Sequence, residues 1–212
     1  MIISTVSLKG GVGKTTAAIN LAVYFSKLNN SVLLIDADKN GNALKWSGIR
    51  DNQGTPITTV SMPSAAALRA NINNLIVGYD IVIIDGTPAI NEIANTIMLL
   101  SDLALFPIQA SPLDLWAFDE KFVPKFQEIK ILKPDLLGLI LLNNIDSRTS
   151  LSNEIQEAVE AYEIPVLKAK LSDRIVYRDS IAYGLSALEY KDKKAVQEVN
   201  NLGVEISEYL KL

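Results

Sequence analysis

Two lysines five residues apart, Lys9 and Lys14, enclose the run Gly10-Gly11-Val12-Gly13, and Thr15 and Thr16 follow directly. Glycines let backbone N–H groups crowd against a polyphosphate, and a helix opening just after them presents its positive end to the same charge. Lys14 can then reach β- and γ-phosphates, and the Thr15 hydroxyl is placed to ligate Mg²⁺. Carboxylates follow two apolar runs further on: Asp36 and Asp38 after 32–35, and Asp85 after 81–84. Behind a phosphate loop such groups serve Mg²⁺ and its waters, or orient an attacking water. The chain contains no His and no Cys. Any general base is therefore a carboxylate or water, and disulfides, thiolate metal sites and Cys nucleophiles are excluded.

These residues need a scaffold that delivers them to one edge. Short apolar or β-branched runs at 2–6, 32–35, 57–60, 81–84, 103–108, 137–142 and near Val166 alternate with helical patterns. That alternation predicts an α/β doubly wound, mostly parallel sheet with helices on both faces. Ligands of such sheets bind at the carboxyl ends of the strands, where the residues above fall. With 212 residues, 49% of them apolar, and no linker-like tract, the expectation is a single domain over 1–212. The apolar run at 136–142 is too short to cross a bilayer and no basic segment precedes Ile2 and Ile3, so a soluble, cytoplasmic protein is expected. Trp46 is expected exposed or half-buried, with a structural role. Phe118, Phe122 and Phe126 form a core stripe, and a final helix over 192–212 sets Ala195, Val199, Leu202, Ile206 and Leu210 opposite Glu198, Glu205 and Glu208.

The spelling of the loop narrows its class. The common phosphate-loop pattern requires Gly at position 8, where this chain has Leu8, and it lacks the early lysine. A dinucleotide fingerprint is disfavoured because Gly11-Val12-Gly13-Lys14-Thr15-Thr16 ends in Thr and carries the lysine of a phosphate loop. Lys9-Gly10-Gly11-Val12-Gly13-Lys14-Thr15 resembles the deviant Walker A box of the ParA/MinD family of positioning ATPases. The resemblance implies ATP and Mg²⁺ as ligands, an ATP-dependent homodimer, and Lys9 reaching across it to the partner's nucleotide. It assigns Asp36 and Asp85 to the Mg²⁺ shell with Thr15, and the water-activating role to Asp38. Lys39 and Asn40 depart from the family's Asp-x-Asp-Pro-Gln phrase, and Asp85-Gly86-Thr87-Pro88 differs modestly from its Asp-x-Pro-Pro. Gly86 would admit the γ-phosphate closely, with 86–91 as a switch segment. Ser111-Pro112-Leu113-Asp114 is similar to a phrase of the small plasmid-partition members that contributes to the dimer face; a helix cap alone also explains Pro112 and Asp114. Asn143 or Asn144 can bond an adenine edge from a polar loop after the sixth run, and Asp146 to Leu151 resembles the corresponding phrase of chromosomal ParA proteins.

Net charge is −4, but 168–194 carries seven Lys/Arg against four Asp/Glu. Lys168, Lys170, Arg174, Arg178, Lys191, Lys193 and Lys194 can contact phosphates, although a solvated mixed-sign surface is a serious rival. In ParA proteins this region binds DNA without sequence preference, which implies nucleoid association and an adaptor, ParB-like or McdB-like, that stimulates hydrolysis. The cargo is either a plasmid or a protein organelle such as the carboxysome, and no residue chooses between them. No membrane attachment is expected, since the polar face of the final helix is acidic where MinD-like relatives are basic. The rival readings are a MinD-like membrane switch and a small-molecule kinase or ligase built on the same loop.

Overall fold

The computed structural model describes residues 1–50, 54–109, 111–145 and 164–212. Seven strands form one sheet in the order β3-β2-β4-β1-β5-β6-β7, and every neighbouring pair runs parallel. They are β1 (Ile2–Thr5), β2 (Val32–Asp36), β3 (Thr58–Ser61), β4 (Ile81–Asp85), β5 (Leu103–Gln109), β6 (Leu137–Ile145) and β7 (Val166–Ser172). Each expected strand is present, within three residues at its ends. The helices are α1 (Lys14–Lys27), α2 (Asn42–Arg50), α3 (Ala65–Leu75), α4 (Glu92–Leu100), α5 (Pro112–Ala117), α6 (Val123–Leu132), α7 (Ile175–Ala182) and α8 (Lys193–Leu210). Two apolar clusters sandwich the sheet, one under α1 and α8, the other under α3, α4 and α6. β2 and β4 are buried along their whole length, which is why their sequences read as unbroken apolar runs.

Three local expectations change. Asn143 and Asn144 lie inside β6 and not in a loop, because pairing with β5 continues as far as Gln109 opposite Asn143. Trp46 is fully buried; its indole N–H donates to the Leu185 carbonyl at 3.0 Å, which satisfies the one polar group a buried Trp carries. Glu198 and Glu205 do not face solvent opposite the buried stripe of α8. They reach over the outer edge of β7, where Glu205 accepts from the Lys168 and Ala169 N–H groups and Glu198 from Ser172. Both carboxylates thereby cap donors on a strand that, among the described residues, has no further neighbour in the sheet. The phrase 146–151 lies outside the described residues. Phe118, Phe122 and Phe126 pack around Phe106, as the stripe predicts. The turn between α5 and α6 widens into a π-helical one over Phe118–Phe122, closed by the Val123 N–H on the Phe118 carbonyl. Pro124 has no N–H to continue the tighter ladder at that point.

A buried ion pair locks α2 to the segment before α8. The Arg50 guanidinium forks onto Glu189 at 2.6 and 2.9 Å, donates to the Thr55 and Gly184 carbonyls, and lies 4.8 Å from the Trp46 ring centre. Glu189 also accepts from the Thr55 and Ser186 N–H groups. Burial pushes its carboxyl up, but these donors outweigh burial and hold it below the usual value of 4.5. Arg50→Ala leaves a buried carboxylate unpaired and is expected to lower stability by about 3–5 kcal/mol, measured by urea unfolding. A depressed carboxyl stabilises the fold fully above pH 4.5 and loses that contribution as pH falls through its folded value. Glu189→Gln should therefore flatten the acid side of the stability profile.

Candidate functional site

The carboxyl ends of the strands converge on the loop between β1 and α1. Gly11 and Gly13 have φ of 78° and 93°, a region that favours glycine. Gly13 is required twice over, since a Cβ there would fall 1.9 Å from the Asn143 side-chain nitrogen. That amide group donates to the Val12 carbonyl at 2.6 Å, and the Gln109 amide donates to the Gly11 carbonyl at 3.0 Å. Two neighbouring strand ends thus hold the loop. No side chain caps the N-terminus of α1 and no acid occupies its first turn, so its free N–H groups and positive end face the loop cavity.

Around this loop the charged groups are buried and bonded to one another. Lys14 Nζ donates to Ser7 Oγ at 2.7 Å and to the Lys9 carbonyl at 3.0 Å. Burial lowers its pKa, opposed by the charges of Asp85 and Asp38. Thr15 Oγ1 donates to Asp85 at 2.6 Å and Thr5 Oγ1 at 3.3 Å. Asp85 has no solvent exposure, and burial pushes its carboxyl up to about 7 against the pull of those hydroxyls. Asp36 lies beside it in register, accepts from the Asp38 and Leu44 N–H groups, and is also raised by burial. Asp38 Oδ1 accepts from the Asn40 N–H, which orients its carboxylate at the start of the turn.

Two cavities flank the loop and share Gly11, Gly13 and Thr16. One, of about 340 Å³, is lined by Gly10, Lys14, Thr15, Asp38, Asn40, Asn42 and Pro88. The other, of about 220 Å³, is lined by Gln109, Asn143, Asn144, Arg174, Tyr177 and Arg178. Together they make one cleft around the loop, with one end at the start of α1 and a polar end walled by β6 and α7. Mg²⁺ coordinated through a nucleotide fits this donor set: Thr15 Oγ1 and the carboxylates of Asp36 and Asp85 lie together. Mg²⁺ commonly takes one or two carboxylates and completes its shell with phosphates and water.

Other expected site residues are dispersed. Lys9 does not line the phosphate end; its ammonium pairs with Asp114, which is 6% exposed, while the lysine itself is 53% exposed. Asp114 caps no helix end: Ser111 stands at the N-cap of α5 without a side-chain bond. Gly86 makes room for β1, since a Cβ would meet the Thr5 carbonyl at 2.3 Å, and that carbonyl accepts the Gly86 N–H. Among the basic residues, Arg174 is bonded through Nε and Nη2 to Glu198 within the cleft wall, Lys168 of β7 shares a pocket with Glu205 and Glu208 of α8, and Lys170 lies further along the same strand. Lys191, Lys193 and Lys194 are exposed around the N-terminus of α8, and Arg178, 75% exposed, stands 3.9 Å from Asp173 at the mouth of the cleft. Gln109, Asn42, Tyr177 and Ser7 belong to the site without being expected there from the sequence. Gln109 carried a signal, as a polar residue closing an apolar run; Tyr177 and Ser7 carried none that local pattern could supply.

A family model described as the CobQ/CobB/MinD/ParA nucleotide binding domain matches residues 3–187. The chain belongs to this family. Among relatives of this family, the chain is 26% identical over 203 residues to "Maintenance of carboxysome distribution protein A" of Halothiobacillus neapolitanus, covering 94% of this chain and 93% of the relative. It is 30% identical over 193 residues to "Chromosome-partitioning ATPase Soj" of Thermus thermophilus, covering 76% of each. The fold is that of the septum site-determining protein MinD complexed with Mg-ADP from Pyrococcus horikoshii, at a TM-score of 0.77, 24% identity, and coverage of 99% of this chain and 96% of that one. Gly13→Ala is expected to reduce nucleotide affinity at least about tenfold by titration calorimetry while leaving the circular dichroism spectrum intact, because its Cβ strains the loop and displaces Asn143. Unchanged affinity would mean the loop tolerates a side chain at this position.

Proposed function

We propose that this chain is a ParA-type ATPase that acts as a single domain over 1–212, closes into an ATP-dependent homodimer and positions a cargo. One observation carries the reading: the site has one lysine at its phosphate end, while the second, Lys9, is held outside it on an exposed rim. Charge on a γ-phosphate is better stabilised by two fixed cations than by one, so a lysine presented outward suits a second copy's site. Lys14 and the amides from Gly10 to Thr16 hold the β- and γ-phosphates. Thr15, Asp36 and Asp85 orient Mg²⁺ and its waters, and the metal supplies charge neutralisation at the transferring phosphoryl group. Asp38 accepts a proton from, or orients, the attacking water. Asn143 has its amide nitrogen committed to Val12, which leaves Oδ1 to accept from the exocyclic amine of adenine, with Asn144 beside it.

Asp114 gives this arrangement a resting state. In one chain its carboxylate holds Lys9; in the dimer the lysine exchanges that partner for phosphate. DNA contact is assigned to Lys191, Lys193, Lys194 and Arg178, with Lys168 and Lys170 contributing charge and Arg174 least, since Glu198 already neutralises it. Binding of this kind has no sequence preference and weakens with salt. The relatives' names favour chromosome or plasmid partition, or carboxysome distribution, as the process, working through a ParB-like or McdB-like adaptor on the nucleoid. A membrane-bound mode is disfavoured, because Ala195, Val199, Leu202 and Ile206 of α8 are buried against the domain.

Lys9→Ala should retain nucleotide binding and lose the ATP dimer and turnover, read by light scattering and phosphate release; unchanged dimerisation and turnover would sink the trans-acting lysine. Asp38→Ala should trap the ATP dimer, and rapid hydrolysis in that variant would refute its role. ATP-dependent binding to nonspecific duplex DNA should fall with salt and in an Arg178→Ala, Lys193→Ala, Lys194→Ala variant. No DNA binding by a protein that binds ATP would discard the nucleoid assignment.

A further inference from the structure

Glu198 stands on α8 behind the cleft and lines neither of the two cavities that flank the loop. Its carboxylate nevertheless gathers donors from the polar end. Oε1 accepts from Ser172 Oγ at 2.7 Å and from Arg174 Nε and Nη2 at 3.0 and 2.8 Å. Oε2 accepts from the Ser172 N–H at 3.1 Å and from the Tyr177 hydroxyl at 2.7 Å. Ser172, Arg174 and Tyr177 all line that end of the cleft. Burial pushes the Glu198 carboxyl up, but Arg174, Ser172 and Tyr177 outweigh it and hold the group below the usual value of 4.5. Burial, and then the bond to Glu198, raises the Tyr177 hydroxyl above its usual 10, so it stays a donor wherever the carboxylate is ionised. The turn these residues occupy lies at the edge of the sheet among the described residues, and Arg174, at the N-cap of α7, makes no side-chain cap to it.

We infer that Glu198 is a positioning residue for the nucleoside end of the cleft, holding Ser172, Arg174 and Tyr177 as one wall against which base and ribose pack. With its hydroxyl committed to Glu198, Tyr177 has its ring to offer, and a ring face is a surface on which any base stacks. A side chain already fixed loses little freedom when the ligand arrives. Arg174, paired with Glu198, keeps its planar guanidinium in the wall without adding a bare charge. The phosphate end is held by other groups: Ser7 and the Lys9 carbonyl on Lys14, Asn143 and Gln109 on the loop. Glu198 therefore acts on the nucleoside and not on the phosphates. Glu205 supplies an internal comparison, since it caps the same strand from the same helix through Lys168 and Ala169, neither of which lines the cleft. A role confined to closing the edge of β7 makes the two carboxylates alike; positioning sets Glu198 apart. The inference rests on the reading above that the base lies at the end walled by β6 and α7.

Titration calorimetry of the full chain with Mg-ADP and with Mg-pyrophosphate separates the two ends of the cleft without turnover. Glu198→Ala should weaken Mg-ADP about tenfold, the worth of a well-placed stacking ring, while Mg-pyrophosphate weakens by no more than about twofold. Glu198→Gln, whose amide carbonyl still accepts on one side, should weaken Mg-ADP by an intermediate factor of about three. Glu205→Ala should leave both ligands within about twofold of the wild type, even where urea unfolding shows it destabilised. Unchanged Mg-ADP affinity in a folded Glu198→Ala protein, an equal loss for both ligands, or the same selective loss in Glu205→Ala would each overturn the positioning role. If the alanine variant does not fold, Glu198→Gln is judged by the same criteria. A wild type that binds Mg-ADP no more tightly than Mg-pyrophosphate would overturn the placement of the base, and the inference with it.

Discussion

Parallel pairing of β2 with β4 sets Asp36 directly beside Asp85, and neither side chain reaches solvent. Two carboxylates taken out of water side by side are unfavourable unless cations or donors meet them. Here the compensation is assembled from three separate places: hydroxyls of Thr15 and Thr5, backbone N–H groups of Asp38 and Leu44, and the charge of Lys14 nearby. Burial still raises the pKa of both carboxyls against these donors. Much of the architecture serves that demand. The sheet must keep β1, β2 and β4 adjacent, and α1 must begin where Thr15 can reach across.

The loop itself is held from outside. Asn143 of β6 pairs in register with Gln109 at the end of β5, and the two bond successive carbonyls of the glycine run. A glycine loop has the most backbone freedom to lose, so external bonds are what make it a pre-organised anion site. The same two strands wall the polar end of the cleft, which joins the holding of the loop to the shape of the pocket beside it.

Away from the site, charged groups close the fold. Arg50 and Glu189 tie α2 to the segment ahead of α8, and Glu198 and Glu205 cover the outer edge of β7. Arg174 belongs to this structural set through Glu198 and Tyr177. Basic residues close in sequence therefore divide between interior and surface work, and only those without a buried acid opposite remain on an open face.

Much was legible in the chain without its structure. The glycine run with Lys14 and Thr15, the carboxylates that follow apolar runs, the parallel sheet and the stripe of α8 are carried by turn chemistry and periodicity over about ten residues, which act locally. The partners of Lys9, Asn143, Arg50 and Glu198 were not legible. Each meets a residue beyond local pattern: Arg174 and Glu198 are 24 positions apart, Val12 and Asn143 131, Arg50 and Glu189 139. Which side chains meet across such spans follows from strand order and helix docking, and these are set by packing of the whole sheet, so only the tertiary structure decided that Lys9 lies on Asp114 and Arg174 on Glu198.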